Sequence, residues 1–168
     1  MSCIVYIVRH GVAGPTPQGM TDADRQLTAL GQRKMVRSSR GLKRLGVLPE
    51  HIVSSPLVRA EQTAALLAAG LGQGLEVETV AWLAPGHSPP EVVRSLQAFR
   101  GAREIMLVGH QPGLGELASQ LLTGSPSQTF LPFKKGAIAA IQVTTLPPRS
   151  DGELLWFLTP KQLRLIGR

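Results

Sequence analysis

Residues 7–14 read IVRHGVAG, and residues 104–113 read EIMLVGHQPG. Each begins as an apolar, β-branched run and stops at a histidine beside a glycine, His10 before Gly11 and His110 after Gly109. Runs of four to eight such residues bounded by turn signals read as buried strands. Four more stretches fit: HIVSS (51–55), LEVETV (75–80), GAIAAIQV (136–143) and GELLWFLT (152–159). With the first strand extended back to SCIVYIV (2–8), six strands are expected.

Helical patterns lie between the earlier strands. Residues 28–45 carry Thr28 as N-cap and are followed by Gly46. Residues 55–72 carry Ser55 as N-cap, Pro56 at the first helical position and a closing glycine. PPEVVRSLQAFRG (89–101) and QPGLGELASQLLTG (111–124) complete the set. Strand and helix alternate as far as residue 122, which predicts a mostly parallel sheet covered on both faces. The last two strands are joined by TTLPPRSD (144–151) and read as an antiparallel hairpin. The expected fold is therefore α/β: a three-layer sandwich on a mixed sheet, with residues 1–168 forming a single domain.

Composition narrows the function classes. A chain of 168 residues, 43% hydrophobic and 17% charged, belongs with globular proteins. The one cysteine, Cys3, excludes an internal disulfide, and the run CIVYIV is too short for a signal-peptide core or a membrane span. A cytoplasmic location without a membrane partner is expected. The net charge of +7 is concentrated in GQRKMVRSSRGLKRLG (31–46), where Arg33, Arg37, Arg40 and Arg44 share one helix face. With 4% aromatic residues and no nucleic-acid-binding signature, that face reads as a solvated surface. No nucleic-acid partner is expected, although the positive field favours anionic substrates.

In open α/β sheets, ligands bind beyond the carboxyl ends of the strands. Arg9, His10 and Gly11 follow the first strand there, Arg59 follows the second, and His110 follows the fourth. This set suits a phosphoryl group. Guanidinium forks match its oxygens, a neutral imidazole is a competent nucleophile, and a protonated imidazole stabilises developing charge. No Walker loop and no carboxylate cluster spaced for magnesium occurs, so no metal or cofactor is expected.

VRHG (8–11), SSPLVRAEQTA (54–64) and VGHQPG (108–113), in this order, resemble the histidine phosphatase superfamily. DRQLTALGQRKM (24–35) extends the likeness toward the short bacterial phosphohistidine phosphatases of the signal-inhibitory type. The resemblance implies that His10 is a nucleophile phosphorylated in mid-cycle. It implies that Arg9, Arg59 and His110 bind the phosphoryl oxygens, and that Arg25 and Gly11 contact substrate. Gln26 stands where the family pattern has proline. The implied partner is a phosphohistidine-bearing protein such as a phosphotransfer domain, with phosphate or another oxyanion in the site. The alternatives are a small-molecule phosphomonoesterase of the same superfamily and a non-catalytic phosphoprotein-binding module.

The general acid is not legible in the same way. Larger family members carry a Glu on an inserted segment, for which residues 72–103 leave no room. In VAWLAPGHSPPE (80–91), Trp82 occupies the place where that Glu is often found, and it reads as packing. His87, Asp22 and Asp24 are the fallback acids. Phosphohistidine needs an acid less than an alkyl ester does, because a ring that is itself protonated leaves readily.

Overall fold

The computed structural model describes residues 2–72 and 74–168. Its strands are β1 (Cys3–Arg9), β2 (His51–Ser54), β3 (Val77–Thr79), β4 (Glu104–Gly109), β5 (Ile138–Val143) and β6 (Glu153–Leu158). Its α-helices are α1 (Ala29–Arg44), α2 (Val58–Leu71), α3 (Pro89–Ser95), α4 (Gly113–Thr123) and α5 (Pro160–Ile166). The strands form one sheet in the order β3-β2-β4-β1-β5-β6. The first four run parallel, while β5 is antiparallel to β1 and β6 to β5. The expected mixed sheet with a terminal hairpin is what forms.

Alternation along the central strands divides the core in two. Val5, Ile7, Ile105 and Leu107 point to the face covered by α3 and α4. Tyr6, Val8, Met106 and Val108 point to the face covered by α1, α2 and α5. Both faces of β1 and β4 are thus buried, which is why these strands read as continuous apolar runs.

Register brings the strand ends level. Arg9 pairs with Gly109, Ser54 pairs with Val108, and the His10 N–H donates to the Gly109 carbonyl at 3.1 Å. The loop before β5 closes the same edge, with the Gly136 N–H donating to the carbonyls of Arg9 and His10.

Four local expectations are corrected. The helix after β2 starts at Val58, capped by Leu57, so Ser55 is not its N-cap. The strand expected over 75–80 shortens to three residues because it is an exposed edge. The helical pattern of 89–101 tightens after Ser95 into a 3₁₀ turn over Leu96–Phe99. Finally, α5 was not foreseen. Its signal is Thr159-Pro160-Lys161-Gln162, a capping box with proline in the first turn: the Thr159 Oγ1 accepts from the Gln162 N–H, and Gln162 reaches back to the Thr159 N–H.

Candidate active site

Three strand ends deliver the polar side chains. His10 follows β1 directly, Arg59 is the second residue of α2, and His110 joins β4 to α4. All three are nearly enclosed, with exposures of 6%, 6% and 7%. The two imidazoles face each other with ring centroids 5.1 Å apart. Buried cations and imidazoles this close persist only where neighbouring groups orient them.

The orientation of His10 is specific. Its Nδ1 lies 2.7 Å from the Gly11 carbonyl, an acceptor only, so Nδ1 carries the proton and donates. That leaves Nε2 unprotonated, with its lone pair available. Burial, supported by the charges of Arg59, Arg9 and Lys135, pulls the His10 pKa down to about 4. The ring is therefore neutral at pH 7.

His110 is held by a residue the sequence reading had assigned elsewhere. Its Nε2 lies 2.7 Å from Ser55 Oγ. Ser55 Oγ accepts from the Leu57 N–H at 3.3 Å, and donating its own hydrogen to His110 Nε2 uses every hydrogen in the group. When Ser55 donates in this way, the imidazole proton sits on Nδ1, which is buried and has no partner among the described residues. Burial, then the neighbouring His10 and Arg59, push the His110 pKa down to about 3. The protonated second imidazole expected from sequence is thus a neutral donor in the free site.

Each arginine is anchored by its terminal nitrogens. Arg9 donates from Nη1 to the Phe133 carbonyl at 2.6 Å. Arg59 donates to the Asp22 carbonyl at 2.7 Å and to Asp22 Oδ2 at 2.9 Å. Both Nε–H groups are buried and unpartnered. With His110 Nδ1, this makes three buried nitrogens without a partner among the described residues, and a tetrahedral oxyanion would satisfy those that carry hydrogen.

Residues around these groups fix their positions. Thr63, one turn after Arg59, donates to the Arg59 carbonyl at 2.7 Å and accepts the Gly11 N–H at 3.0 Å. The Gly11 amide is therefore already engaged. Glycine is required there because a Cβ would lie 2.9 Å from Met35 Cγ. Arg25 is turned to its own loop, donating to the Gly14 carbonyl at 2.8 Å and to Asp22 Oδ1 at 3.0 Å. Asp22 thus bridges Arg25 and Arg59, and hydrogen bonds from both hold its carboxyl below the ordinary carboxylate range. Asp24 is lowered by the Thr21 amide and hydroxyl. Neither fallback carboxylate is suited to giving up a proton.

Beside His110 lies a cleft of about 360 Å³, lined by Trp82, Pro85, His87, Pro89, Pro112 and Leu114 among others. Trp82 is half-buried and packs edge-on against Phe99 at 6.5 Å, the packing role expected of it. His87 is exposed on the cleft wall. No helix among the described residues is long and apolar enough to cross a membrane.

Comparison with known proteins gives the family. Residues 5–84 match the model for the histidine phosphatase superfamily (branch 1). Phosphohistidine phosphatase SixA of Escherichia coli K12 is 29% identical over 96% of this chain and 96% of its own. An uncharacterized protein of Picosynechococcus sp. is 34% identical over 95% of this chain and 98% of its own. A solved structure of the protein histidine phosphatase SixA complexed with tungstate superposes with a TM-score of 0.84. It is 28% identical and covers 95% of this chain and 99% of that one.

Proposed function

The chain belongs to the histidine phosphatase superfamily and is a phosphatase, and from that premise we propose that it hydrolyses phosphohistidine on a protein through a covalent phospho-His10 intermediate. The observation that carries this reading is the unprotonated Nε2 of His10 together with three buried nitrogens that have no partner among the described residues, Arg9 Nε, Arg59 Nε and His110 Nδ1.

The chemistry follows in two displacements. His10 Nε2 attacks phosphorus with its lone pair while the N–P bond of the substrate breaks, and the departing imidazole keeps that electron pair and takes a proton. Water then attacks phosphorus on phospho-His10. Its proton goes to solvent, inorganic phosphate forms, and the N–P electron pair returns to Nε2. In both steps charge gathers on the three equatorial oxygens, where donors already in place cost no reorganisation. A bound dianion raises the pKa of a facing imidazole, so phosphate draws the His110 pKa upward from its value in the free site. The tungstate complex of the SixA relative supports oxyanion binding at such a site.

Protein-borne phosphohistidine is favoured because neither carboxylate expected as a fallback acid is suited to giving up a proton. Asp22 and Asp24 are held ionised, and Trp82, which stands where the family resemblance leads one to expect a Glu, packs against Phe99. A cytoplasmic location accompanies this reading, supported by the lone buried thiol of Cys3. One observation favours a second reading, a small phosphomonoester substrate: the 360 Å³ cleft beside His110 is within the size range of small-molecule sites.

Parallel assays on a phosphohistidine protein, aryl phosphates and alkyl phosphates separate the two. The expected kcat/KM for the phosphoprotein exceeds that for alkyl phosphates by at least about 10²-fold, the low end of what general acid catalysis contributes, with aryl phosphates between. Equal turnover of alkyl esters would favour the small-molecule reading and make His87 the first residue to mutate.

A further inference from the structure

The charge of this molecule is gathered on one helical layer. Helices α1 and α5, with Arg168 just after, carry half of the chain's 18 lysines and arginines and none of its 11 aspartates and glutamates. The remainder of the chain is slightly acidic, so the whole positive excess belongs to this one layer. The two helices are held close by glycine. A Cβ at Gly41 would strike the Leu163 backbone, and one at Gly167 would strike the Arg37 carbonyl. Arg44 adds a hydrogen bond to the Ile166 carbonyl at 2.8 Å.

That close approach merges two basic faces. Lys161, Arg164, Leu165 and Arg168 recur at helical spacing along α5 and its end, and together with Arg37 and Arg40 of α1 they line a cleft of about 520 Å³. None of these cations is ion-paired among the described residues. Leu165 lies in the same cleft, and further aliphatic side chains on α1 and its end are exposed. Leu30 and Val36 on α1, Leu45 at its end and Leu165 on α5 are 50%, 37%, 42% and 47% exposed.

We propose that the α1/α5 face docks on an anionic lipid bilayer, with lipid phosphates among the arginines and the leucines entering the headgroup boundary. Interfacial binding draws on attraction to anionic lipid plus buried apolar area, and this face supplies both. A nucleic-acid backbone would leave the leucines without a partner, and the face has no aromatic side chain on which bases could stack. A protein interface core is enriched in aromatic residues and depleted of lysine, unlike this face. The sequence reading expected no membrane partner because CIVYIV is too short to span a bilayer, a ground that does not bear on surface docking.

Vesicle sedimentation of the intact protein tests this without reference to its catalytic reaction. Vesicles of phosphatidylcholine with roughly 30% phosphatidylglycerol should retain the protein at least about tenfold more strongly than phosphatidylcholine alone, and added salt should weaken retention. Each basic residue near such a surface contributes about fivefold, so Arg37→Ala/Arg40→Ala/Arg164→Ala should lose about 10²-fold. Leu165→Ser should weaken retention at high salt, where the apolar part dominates. Unchanged turnover of an aryl phosphate by these variants shows that they remain folded. Equal retention on neutral and anionic vesicles overturns the proposal. So does duplex DNA binding tighter than vesicle binding, which would make the face a nucleic-acid surface.

Discussion

The carboxyl edge of the sheet and the outer α1/α5 face use the same residue, arginine, in opposite ways. At the edge, Arg59 is 6% exposed, with both terminal nitrogens engaged by Asp22 and its buried Nε–H without a partner among the described residues. On the helix face, Arg37 and Arg40 are exposed and line a cleft with no carboxylate against them. A buried, anchored guanidinium presents its donors in fixed directions and acts by geometry. An exposed one is mobile and screened, and acts only through the summed field. Position in the fold decides which kind of arginine the chain has.

Replacing one arginine in each region is the sharpest way to break that comparison. Arg59→Ala and His110→Ala should each lower kcat/KM by on the order of 10²-fold or more, since each removes a donor aimed at the transition-state oxygens. Arg37→Ala should stay within about twofold of wild type on the same small substrate, because rim and surface charges contribute little. Losses below about tenfold for Arg59→Ala would remove the distinction between the two regions.

A smaller effect is expected at Asp22. Its carboxylate positions Arg59 but is ionised, so Asp22→Asn should raise KM more than it lowers kcat. The ratio of aryl to alkyl phosphate turnover should not move. A selective loss of alkyl phosphate turnover, as removal of a proton donor would cause, would return Asp22 to the list of acids.

The smallest effect is in the pH dependence of stability. His10 and His110 have pKa values lowered from the ordinary 6.5 to about 4 and about 3. Above pH 6.5 the rings are neutral in folded and unfolded chains alike, and they contribute no slope. As the pH falls from 6.5 toward about 4, the unfolded chain takes up protons that the folded one refuses, and stability declines. Each ring adds at most about 1.4 kcal/mol per pH unit. Melting temperatures of wild type and His10→Asn across this window should show a shallower acid decline in the variant. An unchanged decline would mean that the ring is not held neutral.

Much of this was legible because strand ends are punctuated. The runs ending at Arg9-His10-Gly11 and Gly109-His110 announce buried parallel strands by their continuous apolar character. The rule that ligands lie beyond strand carboxyl ends then places these residues on one edge. What was not legible depended on partners distant in sequence. Ser55 has the form of an N-cap, and only the register of β2 with β4 turns its hydroxyl to His110. The Phe133 carbonyl that holds Arg9 carries no side-chain signal at all. Thr63 was findable, since it lies four residues after Arg59 on the same helix. The Thr159–Gln162 capping box was also readable, and missing it hid α5 and a third of the basic face.

The central claim is that His10 Nε2 takes the phosphoryl group, and rapid-quench trapping with labelled phosphohistidine substrate tests it directly. The account predicts protein-bound label that is stable to alkali, lost in acid, mapped to the peptide containing His10, and absent from His10→Ala together with turnover. Label on another residue, or substantial turnover by His10→Ala, would contradict it.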